Sequence, residues 1–265
     1  MKHSDKIQSL GHSKGMMDGD EQDGAFEEEI QATLCFVDPK PEDAPGIAIY
    51  IPKSLKVHRP QLANYIANQT RVGTLIKDQN EDGSVGDSLF GISTCINLAK
   101  ASIFCPTIVE MIEWMKELND PVLNEILIGS LPVTGLILSE RASGVPLILS
   151  PHLARGLFSE IEWATHDLET EEERNSFNFQ FYITPIKMTI EEGETLFSQV
   201  EQELYFNHAV AKVEYDQEGE EGDLVEVEYH RYIAVLTAET IPTIRQELNN
   251  MFDVDESQYA DEGRI

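Results

Sequence analysis

Apolar residues in this chain come in short bursts of two kinds. Some alternate with polar neighbours at the two-residue period of strands, and others recur at three- and four-residue helical steps. Residues 31–37 read as a first strand, ended by Asp38-Pro39-Lys40-Pro41. Residues 46–55 stay open: Ile47, Ile49 and Ile51 alternate as a strand would, and Pro52 opposes a continuous helix. Residues 60–69 predict a short helix with Pro60 in its first turn, and 72–76 and 89–98 predict strands around a polar loop at 78–87. Ile108, Met111, Ile112, Met115 and Leu118 predict a helix over 107–118, and Asp120 is placed to cap another that begins at Pro121. Val133, Leu136, Ile137 and Leu138 make a strand, 139–146 break it, and Leu153, Leu157, Phe158, Ile161 and Trp163 return to helical spacing.

The second half repeats this alternation. Phe177, Phe179, Phe181 and Ile183 predict a strand over 177–186, and 196–206 predict a helix. Two strands at 210–215 and 224–236 flank an acidic loop around Gly219 and Gly222, and a helix at 241–252 closes the pattern. The expected fold is one α/β (α+β) domain over 30–252, with a mixed, largely antiparallel sheet flanked by helices. Residues 1–29 have few large apolar side chains and read as a disordered acidic leader, and 253–265 as an acidic tail.

Charge narrows the function. The chain has 19 Lys and Arg against 48 Asp and Glu, a formal charge of −29. Such a field repels phosphate backbones and anionic membranes and draws in basic partners, so direct nucleic-acid binding is not expected. No apolar run approaches the roughly 20 residues of a membrane helix. Acidic residues cluster at 18–29, 167–173, 216–228 and 253–262. Any one cluster is what a solvated loop or tail shows, whereas four together also suit docking of a lysine- and arginine-rich protein.

Cys35, Cys95 and Cys105 form no C-x-x-C pair, so buried reduced thiols are expected. The seven histidines share no metal-ligand spacing, and no metal or cofactor is expected. There is no G-x-S-x-G elbow and no P-loop. Arg141-Ala-Ser-Gly144-Val-Pro146, between a strand and a helix, resembles the acyl-coenzyme-A loop of GCN5-related acetyltransferases. That loop cradles a pyrophosphate with backbone N–H groups, and Pro146 has none to donate. Glu140 would be the general base of such an enzyme, but no partner for that role is legible; an ion pair or loop hydrogen bond with Arg141 is its plainer reading.

Four blocks in succession resemble the BCCIP family. They are Arg71-Val-Gly-Thr-Leu-Ile-Lys77 with Phe90-Gly-Ile-Ser-Thr-Cys-Ile-Asn-Leu98; Gly135-Leu-Ile-Leu-Ser-Glu-Arg141 with Val145-Pro146; Phe179-Gln-Phe-Tyr-Ile183; and Glu201-Gln-Glu-Leu-Tyr-Phe206 leading into Ala211-Lys-Val-Glu-Tyr215. The resemblance runs over residues 62–248. It implies an acetyltransferase-like core used as a binding module, not an enzyme, in nuclear steps of large ribosomal subunit maturation and export. The implied client is a basic large-subunit ribosomal protein. Relatives that bind DNA-repair or cell-cycle regulators make a nuclear adaptor the alternative, and an acyl-coenzyme-A-dependent N-acetyltransferase is the enzyme alternative.

The chain departs from the family pattern at residues 46–52, where a clear amphipathic helix is usual, and at Thr189-Ile-Glu-Glu-Gly-Glu194, where a lysine-rich insertion is common. No two Lys or Arg are adjacent, so nuclear location, with possible shuttling to the cytoplasm, rests on the resemblance. Candidate partner-binding residues are Ser139, Glu140 and Arg141 at the turn, and Asp216, Glu218, Glu220, Glu221 and Asp223 in the acidic loop.

Overall fold

A computed structural model describes residues 33–254 except 70, 192 and 216–227. The acidic leader, most of the tail and the acidic loop at 216–227 therefore lie outside the described residues.

One sheet organises the domain. Its strands are β1 (Thr33–Val37), β2 (Thr74–Gln79), β3 (Val85–Asn97), β4 (Thr134–Arg141), β5 (Phe181–Glu191), β6 (Glu194–Phe197), β7 (Ala211–Glu214) and β8 (Glu228–Thr237). They are ordered β1-β2-β3-β4-β5-β8-β7, with β6 also paired to β5. Every pairing is antiparallel except β4 with β5. A mixed, mostly antiparallel open sheet flanked by helices is thus the architecture. The parallel pair needs a crossover, and α6 (Leu149–Asp167) with α7 (Glu171–Asn175) supplies it.

Alternation along the strands builds two cores. Leu136, Leu138, Ile183, Ile233 and Val235 face α1 (Ala44–Tyr50), α2 (Arg59–Ala67), α3 (Leu98–Phe104), α4 (Pro106–Glu117) and α5 (Pro121–Gly129). Ile137, Tyr182, Ala234 and Leu236 face the other way, toward α6, α8 (Val200–His208) and α9 (Ile241–Met251). Cys35, Cys95 and Cys105 are free and buried, as expected. The capping expectation also holds: Asp120 accepts a hydrogen bond from the Leu123 N–H at 2.8 Å.

One reading left open is settled and three others are corrected. The isoleucines at 47, 49 and 51 belong to a short helix and its exit, not to a strand. Ile47 and Ile51 are four apart and buried at 0% and 1% exposure, while Ile49 on the opposite side is 74% exposed. Pro52 ends the helix, because the residue before a proline is driven from helical to extended backbone, and Ile51 has ψ 122°. The family's helix after the first strand is therefore present. Leu196 and Phe197 are not the start of a helix but lie in β6, Glu194–Phe197. This strand pairs back on Met188–Glu191 through a turn at Gly193, whose φ of 85° suits glycine, and the helix begins at Val200.

Phe177 and Phe179 are buried as the alternation implied, but the strand starts only at Phe181, where a neighbour exists to pair with. Finally, the strand read at 133–138 runs on to Arg141, so the turn begins at Ala142. Two short helices, α3 and α7, had no apolar period long enough to read.

Candidate functional site at a gap in the sheet

β4 and β5 do not stay together. Thr134, Gly135 and Leu136 pair with Phe181, Tyr182 and Ile183, and then the strands diverge. Beyond that point β4 is paired only to β3, out to Gly91 opposite Arg141. An open wedge in a sheet exposes backbone donors and acceptors that must find partners elsewhere.

Here α8 and the residues before it supply them. The Lys187 N–H donates to Gln202 Oε1 at 3.1 Å, and the Ser198 N–H donates to the Lys187 carbonyl at 2.9 Å. On the other side of the gap, Gln199 Nε2 donates to the Arg141 carbonyl at 3.3 Å. Side-chain amides thus stand where the next strand, or a bound amide ligand, would make sheet hydrogen bonds. Gln199 and Gln202 are both buried.

The strand period sorts the predicted turn residues between two faces. Ser139 and Arg141 fall on the α6 and α8 face, and Glu140 falls on the α1 face. Arg141 makes a bidentate pair with Glu201, 2.7 Å from Nη1 to Oε1 and 2.8 Å from Nη2 to Oε2, and Nη2 also donates to Ser150 Oγ at 2.9 Å. Ser139 Oγ donates to Glu201 Oε1 at 2.8 Å. Both ionic side chains are almost fully buried, at 2% and 3% exposure. Planar forks of this kind are the strong form of charged hydrogen bond. Glycine at 91 permits it, because a Cβ there would sit 2.9 Å from Arg141 Cγ and from the Glu140 carbonyl.

Glu140 does not pair with Arg141, contrary to the sequence reading. Its Oε1 accepts from Gln202 Nε2 at 3.2 Å, so the Gln202 amide bridges the backbone of β5 and the Glu140 carboxyl through the gap. Burial pushes the Glu140 carboxyl up to about 7, with the Glu201 charge adding to it and Lys187, Gln202 and Arg141 pulling against it. On the α1 face Glu140 and Arg141 border a cleft of 310 Å³, whose wall also includes Tyr50, Ile51, Lys53, Lys187 and Arg231.

The loop after β4 shows what has become of the acyl-coenzyme-A resemblance. Gly144 has φ 93°, a glycine conformation, but the Val145 N–H is spent on the Ala142 carbonyl and Pro146 has none. Arg141, the first residue of the motif, is locked by Glu201. Of the other candidates, Asp216, Glu218, Glu220, Glu221 and Asp223 lie outside the described residues. Among the described residues no group of His, Cys, Asp and Glu is arranged to hold a metal, and no helix is long and apolar enough to cross a membrane. Glu201, Gln202 and Gln199 were missed as site residues. Their signal was the buried Arg141, which required a carboxylate partner that the sequence does not single out among 48.

An open mixed sheet with one splayed parallel pair, sealed in cis by an amide and carboxylate wedge, defines a domain whose gap is built for self-contact. The BCCIP family model matches residues 29–232, and the chain belongs to the BCCIP family. A curated relative, the protein BCCIP homolog of Arabidopsis thaliana, is 27% identical over 259 residues, covering 88% of this chain and 78% of the relative. The crystal structure of BCP1 from Saccharomyces cerevisiae superposes with a TM-score of 0.59 at 18% identity, covering 87% of this chain and 93% of that one. This likeness establishes a shared fold.

Proposed function

We propose that this BCCIP-family protein is a non-enzymatic acidic chaperone that holds a basic large-subunit ribosomal protein during nuclear ribosome biogenesis and export. The formal charge of −29 carries the reading. An acidic holder competes with ribosomal RNA for a cationic client by offering carboxylates in place of phosphates, and releases it as salt or RNA screens the field. Nuclear residence follows from that role, with shuttling to the cytoplasm beside the client.

The gap between β4 and β5 supports binding over catalysis. The family resemblance implies an acetyltransferase-like core, yet Gln199 and Gln202 fill the opening and Glu201 occupies Arg141. A pyrophosphate at 141–146 would find no N–H at Pro146 and the Arg141 guanidinium already paired. The same acidic surface would serve an adaptor for DNA-repair or cell-cycle regulators, so client identity decides between them.

Affinity purification of the tagged full chain at low salt, eluted by a salt gradient and read by mass spectrometry, tests the proposal. One large-subunit ribosomal protein at near-equimolar yield, released by salt, is expected. Histones, repair or cell-cycle regulators, or no stoichiometric partner would overturn it.

A further inference from the structure

The α1 face of the gap inverts the sign of the whole molecule. Only 19 of 265 residues are Lys or Arg, yet Lys53, Arg141, Lys187 and Arg231 all border one cleft of 310 Å³. Arg141 is neutralised by Glu201. Lys187 and Arg231 are direct cross-strand partners on β5 and β8, so their side chains leave the sheet side by side on the same face. Like charges in that position repel. Among the described residues no carboxylate is within ion-pair distance of either. A juxtaposed pair of cations with no such counter-charge among the described residues favours an anion placed between them.

Among the described residues the acid in the cleft wall is Glu140, which Lys187 attracts but does not pair with. Glu140 is held in the gap by Gln202 and its carboxyl is favoured in the neutral form by burial and by Glu201. Lys53, from the segment that follows α1, also borders the cleft. The volume is at the small end of ligand pockets, which run from roughly 300 to 1,000 Å³.

We propose that the cleft between the α1 exit and strands β5 and β8 is an oxyanion-binding site, in which Lys187 and Arg231 grip a carboxylate or phosphate group of a small ligand, Glu140 lies at its back and Lys53 at its rim. The proposal does not draw on the acidic clusters, and it stands or falls independently of a basic client. A lysine side chain is the wrong occupant here, since two cations would oppose it.

The test is a thermal-shift titration of the full chain with inorganic phosphate and, separately, with citrate. Sodium chloride at matched ionic strength is the reference. Saturable stabilisation by either anion beyond the chloride series is expected, and the stronger of the two distinguishes a phosphate from a carboxylate ligand. In a Lys187→Ala, Arg231→Ala double variant the half-saturation point should rise by about tenfold or more for the preferred anion. Without added anion, the variant should melt no lower than the parent, because a like-charge contact has been removed, which guards against misfolding as an explanation. Lys116→Ala, a change on α4 that leaves the cleft wall untouched, should leave the titration as in the parent. Responses no greater than chloride, or a double variant that titrates like the parent, would overturn the site.

Discussion

The two sides of the strand gap treat charge in opposite ways. Toward α8, the Arg141 guanidinium has both oxygens of Glu201 and the Ser150 hydroxyl, and Ser139 completes the carboxylate. Toward α1, Lys187 and Arg231 stand together with no such partner among the described residues. Buried charge that is fully hydrogen-bonded is structural: it fixes how α8 sits against the sheet and offers nothing to a ligand. Charge left uncompensated beside a cleft is available for one. The same stretch of β4 thus contributes a locked residue to one face and a wall to the other, according to which way the strand period turns each side chain.

Removing the locked partner is the most severe way to break this comparison. Glu201→Ala strands the Arg141 guanidinium in a site with 2% exposure, and is expected to cost about 3–5 kcal/mol in urea unfolding. Replacing both, Arg141→Met with Glu201→Leu, should recover most of that loss, since an apolar pair needs no solvation. A Glu201→Ala protein as stable as the parent would mean that Arg141 is not committed to structure, and the division between the two faces would fail.

Glu140 sits on the boundary and gives a pH-dependent version of the same question. Its carboxyl titrates at about 7 in the folded chain against an ordinary value of 4.5. The folded state therefore holds the proton more tightly than the unfolded chain. Stability from this group is complete below about pH 4.5, falls as pH rises toward 7, and stays reduced above it. Glu140→Gln keeps an oxygen for Gln202 and removes the titration. The variant should match the parent near pH 5 and exceed it by about 1–3 kcal/mol near pH 8, measured as the difference between paired urea curves. Equal differences at both values would show that the buried carboxyl is not the source.

Much of this architecture was legible from period alone, and the failures have physical causes. The helix at Ala44–Tyr50 was obscured because three isoleucines spaced by two satisfy a strand pattern, while only two of them, four apart, meet the core. Leu196 and Phe197 looked like helix because they are apolar and adjacent to a real helix, but a glycine turn folds them back onto β5. The turn at Arg141 was located to within a few residues. What periodicity does not report is the divergence of β4 from β5, because splay is set by what packs through the gap. Gln199, Glu201 and Gln202 come from 58 to 62 residues further along the chain, and their sequence carries no mark of that contact.

A milder change asks whether the wedge or the packing around it keeps the gap shut. Gln202→Ala leaves the Lys187 N–H without its acceptor and Glu140 without its donor. An unmade buried hydrogen bond costs about 1–3 kcal/mol, so a loss in that range is expected in urea unfolding. A negligible loss would mean that water or a ligand enters readily where the amide stood.

The smallest expected effect is the most discriminating for catalysis. With Arg141 paired to Glu201, the Val145 N–H given to the Ala142 carbonyl, no N–H at Pro146 and Gln202 in the gap, coenzyme A is not expected to bind on the α8 side. Its phosphates are nevertheless oxyanions and could be taken up at Lys187 and Arg231, so a bare thermal shift with coenzyme A would confound the two faces. The Lys187→Ala, Arg231→Ala background separates them. There, coenzyme A and its phosphate-free fragment pantetheine should both leave the melting temperature unchanged, whereas a ligand at 100 times its dissociation constant would add about 2.7 kcal/mol. A saturable shift with pantetheine would place a ligand between the strands despite Gln202. It would return the acyl-transfer reading to first place, with Glu140, titrating near neutrality at the mouth of the gap, as the group to examine for proton transfer.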